Sequence, residues 1–394
     1  MILLSDTEIS SVLPVFSSLG IRTSFLVPTS TGIQKSIMDA TYPVREHLRV
    51  EGYHDFAAQA QGTDAKVLKT AYFVHPSFLE ETQASLYRPH SKNGDPRIWF
   101  YGLKNYAVSF NLLAVIAKDD NAYVVNCSDE KIIQSLETGV NPLILELGLL
   151  QTGLTHEAEE LLQKLKNIGQ MGWIETMRSG DTGVGYTLET LLGISANSNK
   201  TPDYKGIEIK SGRFGSVNQT LFSKTPNWTI SRLQSSLEIL KTRGRYSVEK
   251  SRNQLFHSIL GNKPNSYGLQ LHVDFEVGRL YQFCLEADKR IDDVVWELRA
   301  LKEALDMKHR QTFWVKTKTR HEGQTESFLY SEAVYTRAPN VDALPLLLQL
   351  GEVFVDYTIK ETQTGGAKDQ GFLFRMKQSN LKSLFGIPRV FKLN

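Results

Sequence analysis

The chain has 394 residues, a formal net charge of +2, and 41% hydrophobic, 10% aromatic and 22% charged residues. These fractions are typical of folded globular proteins and exclude a largely disordered or fibrous chain. The length exceeds what one hydrophobic core usually supports, so we expect two domains. Because the net charge is close to zero, any contact with nucleic acid has to come from local basic patches.

Cysteine usage and apolar runs indicate the compartment. Cys127 and Cys284 are the only cysteines, and neither has the spacing of a metal ligand. This usage is typical of a reducing, intracellular compartment. The N-terminus lacks a basic region before its apolar residues, and the densest apolar run, 344–350, is too short to span a bilayer. We therefore expect a cytoplasmic protein that is neither secreted nor inserted into a membrane.

Short β-rich segments separated by turn formers fill the chain between Ile21 and Cys127. They are predicted at 24–27, 67–74, 84–87, 97–101, 109–116 and 122–127. Between Leu154 and Ile168 the apolar residues recur with helical periodicity instead. This change predicts a mainly β domain over residues 1–150 and a second domain over residues 151–394.

The second domain mixes helices and strands. Helices are predicted at 187–192, 292–307 and 341–350, and strands at 207–210, 268–275, 278–286, 312–316, 353–361 and 371–376. The mixture indicates an α/β or α+β fold. The sequence contains no internal repeat and no long low-complexity tract.

The residues most suited to catalysis lie in the segment 202–210, Pro-Asp-Tyr-Lys-Gly-Ile-Glu-Ile-Lys. Side chains alternate along an extended strand, so Glu208 and Lys210 share one face while Ile207 and Ile209 face the core. One carboxylate and one amine are therefore neighbours. The same alternation is also typical of an ordinary edge strand whose glutamate and lysine form a solvated pair that contributes little.

A second carboxylate lies close by in the sequence. Asp203 precedes Glu208 by five residues, and Gly206 between them lets the backbone turn so that the two carboxylates approach each other. Converging carboxylates repel unless a divalent cation joins them, and Mg²⁺ prefers one or two carboxylates together with a substrate phosphate. Lys210 beside them can orient a water molecule or neutralise charge on phosphate oxygens.

The surroundings of this segment favour catalysis over the solvated pair. Together with 172–189 and 221–226, the segment 202–210 resembles the MvaI/BcnI-type restriction endonucleases, relatives of the mismatch-repair nicking enzyme MutH. The resemblance runs from about residue 155 to the C-terminus. It implies an α/β restriction-endonuclease-like fold of the PD-(D/E)xK type.

The resemblance also implies roles for individual residues. Asp203, Glu208 and Lys210 match the catalytic acidic-acidic-lysine set, and Glu189 matches an additional acidic residue near it. The expected cofactor is Mg²⁺, held by Asp203, Glu208 and Ile209. The glycine-rich stretch 180–185 lacks a following Gly-Lys-Ser/Thr, so no nucleotide cofactor is expected. The implied substrate is duplex DNA, cut by water at a short C/G-rich site.

Several residues are candidates for DNA contacts. The segment 365–375 resembles the loop and strand with which the family faces DNA, and Arg375 is the leading candidate for reading a base. The other candidates in this domain are Lys368, Asp369, Gln370, Arg178, Arg213 and Lys224. Relatives often carry histidines where Lys368 and Gln370 stand, which leaves the target sequence open. A basic hairpin without any DNA role is the alternative for this loop.

The N-terminal domain has a fainter resemblance. Its turn-rich basic segment 85–100, flanked by 25–28 and 112–115, resembles the effector domain of the restriction enzyme EcoRII, a B3-like pseudobarrel that grips DNA between two arms. On this resemblance the arm contacts are Arg22, Lys92, Asn93 and Arg97. An ordinary solvated hairpin is the alternative.

The leading hypothesis is a bacterial or archaeal type II restriction endonuclease. We expect it to act as a monomer in the catalytic step, beside a cognate DNA methyltransferase, and an N-terminal effector site is one option within this hypothesis. The alternatives are a MutH-like nicking repair enzyme, a non-catalytic DNA-binding regulator built on the same fold, and a pair of interaction modules that do not bind DNA.

Overall fold

The computed structural model describes residues 6–148, 153–194, 202–215, 217–323, 325–386 and 388–394. The chain divides into two compact units. The first comprises Met1–Gln151 with two later segments, Val273–Leu280 and Asp342–Leu347, and the second comprises the rest. The boundary predicted between residues 150 and 151 lies outside the described residues. None of the described helices is long and apolar enough to cross a membrane.

One sheet and short helices form the first unit. Its elements are α1 (Asp6–Ser18), β1 (Ser24–Leu26), α2 (Ser30–Lys35), β2 (Met38–Asp39), α3 (Tyr42–Val50), β3 (Val67–Val74), β4 (Leu79–Tyr87), β5 (Arg97–Phe100), α4 (Leu103–Tyr106), β6 (Leu113–Lys118), β7 (Asn121–Asn126), α5 (Glu130–Glu137) and α6 (Pro142–Glu146). The strand order is β1-β6-β7-β3-β4-β5-β2. Val44 and Leu48 of α3 pack into the core of this sheet.

The predicted strands of the first unit are all present, with shifted ends. The prediction at 67–74 matches β3, whereas β6 begins at Leu113 rather than at residue 109. Phe110 has a φ of 73°, a left-handed conformation that a strand does not accommodate. The helices make this unit less purely β than predicted, and the B3-like pseudobarrel stays a prediction.

The second half of the chain alternates strands and helices. Its elements are α7 (His156–Gln170), β8 (Ile174–Glu175), α8 (Gly183–Leu191), β9 (Glu208–Arg213), β10 (Asn218–Ser223), α9 (Ser236–Arg243), β11 (Arg245–Ser247), β12 (Arg252–Ile259), β13 (Leu269–Asp274), β14 (Arg279–Glu286), β15 (Lys289–Glu297), α10 (Leu298–His309), β16 (Gln311–Glu322), β17 (Thr325–Arg337), α11 (Leu344–Gln349), β18 (Val353–Glu361), β19 (Ala367–Lys368), β20 (Leu373–Lys377), α12 (Leu381–Phe385) and β21 (Arg389–Lys392). The mixed α/β class is confirmed.

Three sheets result from these strands. One has the order β21-β17-β16-β9, with β8 on β17; another has β10-β20-β18-β12-β11, with β19 on β18; the third is β13-β14-β15. β9 is an edge strand and runs parallel to β16, with Glu208 opposite Thr312 and Lys210 opposite Trp314. Helices α7 and α8 pack on this sheet through a buried core that includes Leu165 and Leu188.

The helix predicted at 292–307 is wrong in its first part. Residues up to Glu297 form β15, and α10 starts only at Leu298. Val294, Val295 and Trp296 are buried in a row, which suits a strand covered on both faces better than one face of a helix.

Candidate active site

The strand β9 presents its glutamate to the interior of the protein. Ile207 and Ile209 are buried in the core, as predicted from the alternation. Glu208 is also buried, with 0% of its surface exposed, although it lies on the opposite face. An ordinary edge strand would expose this carboxylate. The solvated Glu-Lys pair considered as an alternative is therefore excluded.

A tight turn directs Asp203 back onto the strand. The backbone groups of Tyr204 and Ile207 hydrogen-bond each other at 2.9 and 2.7 Å, and Lys205 and Gly206 between them have φ values of 44° and 84°. Two consecutive positive φ values are the geometry of a type I′ turn. Asp203 then accepts a hydrogen bond at its Oδ2 from the amide of Ile209, at 3.0 Å. The turning role predicted for Gly206 is confirmed.

Two lysines hold the buried carboxylate of Glu208. The Lys210 amine lies 2.5 Å from Oε1, and the Lys308 amine lies 2.8 Å from Oε2. Burial raises the pKa of Glu208 and the charge of Asp203 raises it further, while Lys210 and Lys308 oppose the rise. The two amines thus compensate a charge whose burial is costly.

Glu189 joins this group from helix α8. Burial raises the pKa of its carboxyl, and the charges of Asp203 and Glu208 add to the rise, while Lys210 and Arg178 lower it. The helix begins in the glycine-rich stretch, where a Cβ on Gly183 would lie 2.3 Å from the Arg178 carbonyl oxygen. Only glycine allows the chain to pass this close at the start of the helix.

Lys308 belongs to this candidate site and was missed by the sequence reasoning. It is the penultimate residue of α10, and the next residue, His309, fixes the end of this helix. His309 donates through Nε2 to the Leu221 carbonyl at 2.6 Å and accepts at Nδ1 from the Thr312 hydroxyl at 2.9 Å. Burial lowers the pKa of His309 to about 3, so the ring is neutral. The sequence signal for Lys308 is a basic residue in the last turn of a helix that precedes a strand. This pattern is too common to single out one lysine as part of a site.

The donor set has the chemistry of a hard-cation site. Carboxylate and carbonyl oxygens are the ligands that Mg²⁺ prefers, and one or two carboxylates are enough when a phosphate supplies the rest. Asp203 and Glu208 fit this requirement. Among the described residues, His, Cys, Asp and Glu side chains form no group of three or more that could hold a metal. Because amines contact both oxygens of Glu208, a bound cation would have to displace at least one of them.

The candidate base reader Arg375 lies on β20, in the second sheet of this half of the chain, β10-β20-β18-β12-β11. Its Nη1 donates to Asp356 Oδ2 at 2.6 Å and its Nη2 to the Asn218 carbonyl at 3.4 Å. Ser258 hydrogen-bonds the other oxygen of Asp356. The Arg375 side chain is 30% exposed. Its guanidinium is therefore oriented by the protein and still partly accessible.

The loop next to Arg375 is more open. Lys368 and Gln370 are exposed. Asp369 instead stabilises the loop, because its Oδ2 accepts from the Ser236 hydroxyl at 2.5 Å and its Oδ1 from the Gly371 amide at 2.8 Å.

Among the other predicted contacts of this unit, Arg213 is bound most firmly. It forms a two-pronged pair with Glu326, at 2.9 and 3.1 Å, and donates to the carbonyls of Gly180 and Asp181 at 3.2 Å. Arg178 stacks 4.0 Å from the ring centre of Tyr186. Lys224 is half-buried, and its carbonyl accepts from Trp296 at 2.9 Å.

The predicted arm residues of the first unit are spread over three places. Arg22 lies 3.6 Å from Glu51, and Arg97 forms an ion pair with Asp39. Asn93 occupies the left-handed region, with a φ of 55°. Lys92 starts the same short turn, and its side chain lies outside the described residues. DNA contacts by these residues stay a prediction.

Known proteins resemble the catalytic half of this chain. The profile of the MvaI/BcnI restriction endonuclease family matches residues 162–385. A structure of the restriction endonuclease MvaI with its cognate DNA substrate superposes with a TM-score of 0.53 and 25% identity, covering 61% of this chain and 100% of MvaI. MvaI without DNA gives a TM-score of 0.37 at 25% identity, over 61% of this chain and 99% of MvaI. A search of curated proteins finds no match.

The family profile covers more than half of the chain and includes Asp203, Glu208 and Lys210. The whole of MvaI matches part of this chain, so the restriction endonuclease fold accounts for its catalytic region. This chain belongs to the MvaI/BcnI restriction endonuclease family and is a type II site-specific endonuclease.

Proposed function

We propose that this enzyme hydrolyses phosphodiester bonds of duplex DNA with Mg²⁺, at a short and C/G-rich site. The observation that carries the proposal is the convergence of Asp203 and Lys210 on the buried carboxylate of Glu208. A buried, charged carboxylate is costly and is retained where chemistry needs it. The DNA complex formed by MvaI supports duplex DNA as the substrate.

The three catalytic residues divide the work. Asp203, Glu208 and the carbonyl of Ile209 would hold the cation, which supplies polarisation of the phosphate and a lowered pKa of bound water. Lys210 lies next to Glu208 and can turn from it to orient the attacking water or to neutralise phosphate charge. Glu189 adds a further negative charge to the group and so favours a divalent cation over a monovalent one.

Sequence recognition is assigned to the second sheet and its loop. Arg375 projects a guanidinium held by Asp356, which suits paired hydrogen bonds to guanine. Lys368 and Gln370 are exposed beside it. We propose phosphate contacts for Lys224 and Arg178. We also propose one for Arg213, through guanidinium hydrogens that its pair with Glu326 does not use.

The N-terminal unit is proposed to bind a second DNA segment. Arg22, Lys92, Asn93 and Arg97 are the candidate contacts, and they precede residues 162–385, which the family profile matches. Binding there would tether or activate the enzyme. Replacement of Arg22, Lys92 and Arg97 by alanine should then reduce cleavage of DNA with two sites more than cleavage of DNA with one site.

The direct test incubates the protein with plasmids of varied sequence and Mg²⁺, and then sequences the ends. We expect cuts at one short sequence, and none in EDTA. Lys210→Met and Asp203→Asn should each reduce cleavage by about 10²–10³-fold while DNA binding stays within a few-fold. Arg310→Ala, at an arginine side chain that is 72% exposed, serves as the control.

The outcomes separate the hypotheses. Folded protein that cuts no unmodified DNA would refute the proposal. Nicks confined to hemimethylated sites would indicate a MutH-like repair enzyme instead. Tight binding without cleavage, independent of Mg²⁺, would indicate a regulator. A cognate methyltransferase in the same cell should protect the identified site.

A further inference from the structure

The catalytic strand ends in an exposed aromatic residue. Phe214 follows β9 directly and exposes 71% of its surface, and Val217 after the next turn exposes 64%. Both backbones are anchored: the Phe214 amide donates to the Thr317 carbonyl at 2.7 Å, and the Val217 carbonyl accepts from the Gln378 amide at 2.9 Å. A fixed backbone thus presents two apolar side chains to water.

Phe214 lines two surface cavities. The lining of the first, of about 410 Å³, includes Lys210, Arg213, Phe214, Lys316 and Gln378. The second, of about 580 Å³, is lined by Trp173, Arg213, Phe214, Lys318, Thr319 and His321. Phe214 and Arg213 line both cavities, and we call the exposed Phe214 side chain the ridge. The catalytic Lys210 lies in the first.

The charge around the ridge suits a polyanion. Both linings carry cations, and within the described residues neither lining includes a carboxylate. Lys210 and Arg213 are ion-paired with Glu208 and Glu326, which lie outside the linings. Lys316 pairs with Glu332 at 2.5 Å, and Arg320 nearby stacks 4.7 Å from the ring centre of Trp173. Lys318 is exposed at the second cavity. A DNA backbone can occupy both cavities while they remain open to water.

We propose that Phe214 inserts into the base stack of the substrate DNA beside the cleaved phosphate, with the two cavities holding the backbone on either side. This rests on the proposed function. Phe214 lines the same cavity as Lys210, so a molecule that covers the ridge lies beside Lys210 and has to be compatible with cleavage there. Substrate DNA meets this condition, whereas a protein partner on the same surface would block Lys210. Apolar side chains on a fixed backbone can part stacked bases and kink a duplex.

Fluorescence of 2-aminopurine reports unstacking directly. The label is placed at successive positions around the cleavage site identified by plasmid sequencing, and Asp203→Asn protein binds the duplex without cutting it. We expect fluorescence to rise several-fold at one step only. Phe214→Ala in this background should abolish the rise and weaken binding by about 5- to 100-fold, as loss of aromatic–base stacking does. Phe214→Trp should retain both.

The chain offers a matched control on the same sheet. Val390 lies on β21, at the edge opposite β9, and exposes 56% of its surface. Val390→Ala should change neither fluorescence nor binding. The insertion would be overturned if Phe214→Ala changed neither binding nor fluorescence. It would also be overturned if Phe214→Ala weakened binding while the Asp203→Asn protein raised the fluorescence at no labelled position. Cleavage by the wild-type protein would stand in either case, and its absence would count against the proposed function instead.

Discussion

The amine of Lys308 lies 2.8 Å from Oε2 of the fully buried Glu208. Lys210 contacts the other oxygen, so one carboxylate is shared by two amines from distant parts of the chain. If Lys210 turns towards the phosphate or its water during cleavage, Lys308 is left to compensate Glu208. We therefore treat Lys308 as a positioning residue for Glu208.

Replacing Lys308 should impair the reaction more than substrate binding. In Lys308→Met, Lys210 is the amine left at Glu208 among the described residues and is held by it, so we expect single-turnover cleavage at saturating DNA to fall by about 10- to 100-fold. The Kd for DNA should change little. Lys308→Arg should recover part of the rate because it restores the charge.

The control for Lys308 is Arg310→Ala, which removes an exposed cation beyond the same helix. It should cleave at the wild-type rate. Thermal melting of all variants separates lost folding from lost positioning. Full cleavage by Lys308→Met would contradict the positioning role.

The pKa of Glu189 makes a prediction about stability and pH. Burial and Asp203 raise this pKa above its ordinary value of 4.5, so the fold disfavours the ionised carboxyl. Stability from this group is present below pH 4.5 and is lost as the pH rises through the raised pKa. In EDTA, Glu189→Gln should therefore melt at a higher temperature than the wild type at pH 8.

The advantage of Glu189→Gln should shrink as the pH falls towards 4.5, because the wild-type carboxyl then becomes neutral too. Melting curves between pH 5 and 8 follow this convergence. Glu159→Gln, at an exposed position on α7, is the control and should show no such trend. A variant that is less stable than wild type at pH 8 would contradict the prediction.

Arg213 should prove important for stability. It joins Glu326 on β17 to the carbonyls of Gly180 and Asp181, which precede the helix carrying Glu189. Arg213→Ala should lower the free energy of unfolding by about 1–3 kcal/mol, measured in urea. Arg213→Lys should not restore it, because lysine cannot form the two-pronged pair. Lys318→Ala, which removes an exposed cation, is the control and should be as stable as the wild type.

The pair of Asp356 and Arg375 predicts a compensating double variant. Asp356→Ala leaves a partly buried guanidinium without its carboxylate and should cost about 1–3 kcal/mol of unfolding free energy in urea. Asp356→Leu combined with Arg375→Met should recover most of this loss, because an apolar pair needs no partner. Additive losses in the double variant would count against coupling of the two residues.

Deletion of residues 1–151 should not release a well-behaved catalytic unit. The first unit also contains Asp342–Leu347, where Leu344 and Leu347 are fully buried, and Asp342 lies 2.9 Å from His47. The deletion would expose these leucines, so we expect self-association in size-exclusion chromatography with light scattering. A monodisperse monomer would contradict this expectation.

The sequence was sufficient for the local parts of the active site. Alternation along a strand puts Glu208 and Lys210 on one face, and Gly206 allows the turn that brings Asp203 back to the Ile209 amide. These relationships span fewer than ten residues, and backbone geometry alone determines them. The predicted helix at 292–307 failed in its first part because Val294 and Trp296 are buried by neighbouring elements that periodicity does not reveal.

The environment of those residues depends on contacts between distant parts of the chain. Strand β9 pairs in parallel with β16, and a parallel pair needs a long crossover connection, so the residues that meet are far apart in sequence. The crossover brings the end of α10, and with it Lys308, against Glu208. Burial of this carboxylate, which distinguishes the segment from an ordinary edge strand, depends on that packing and cannot be derived from the segment itself.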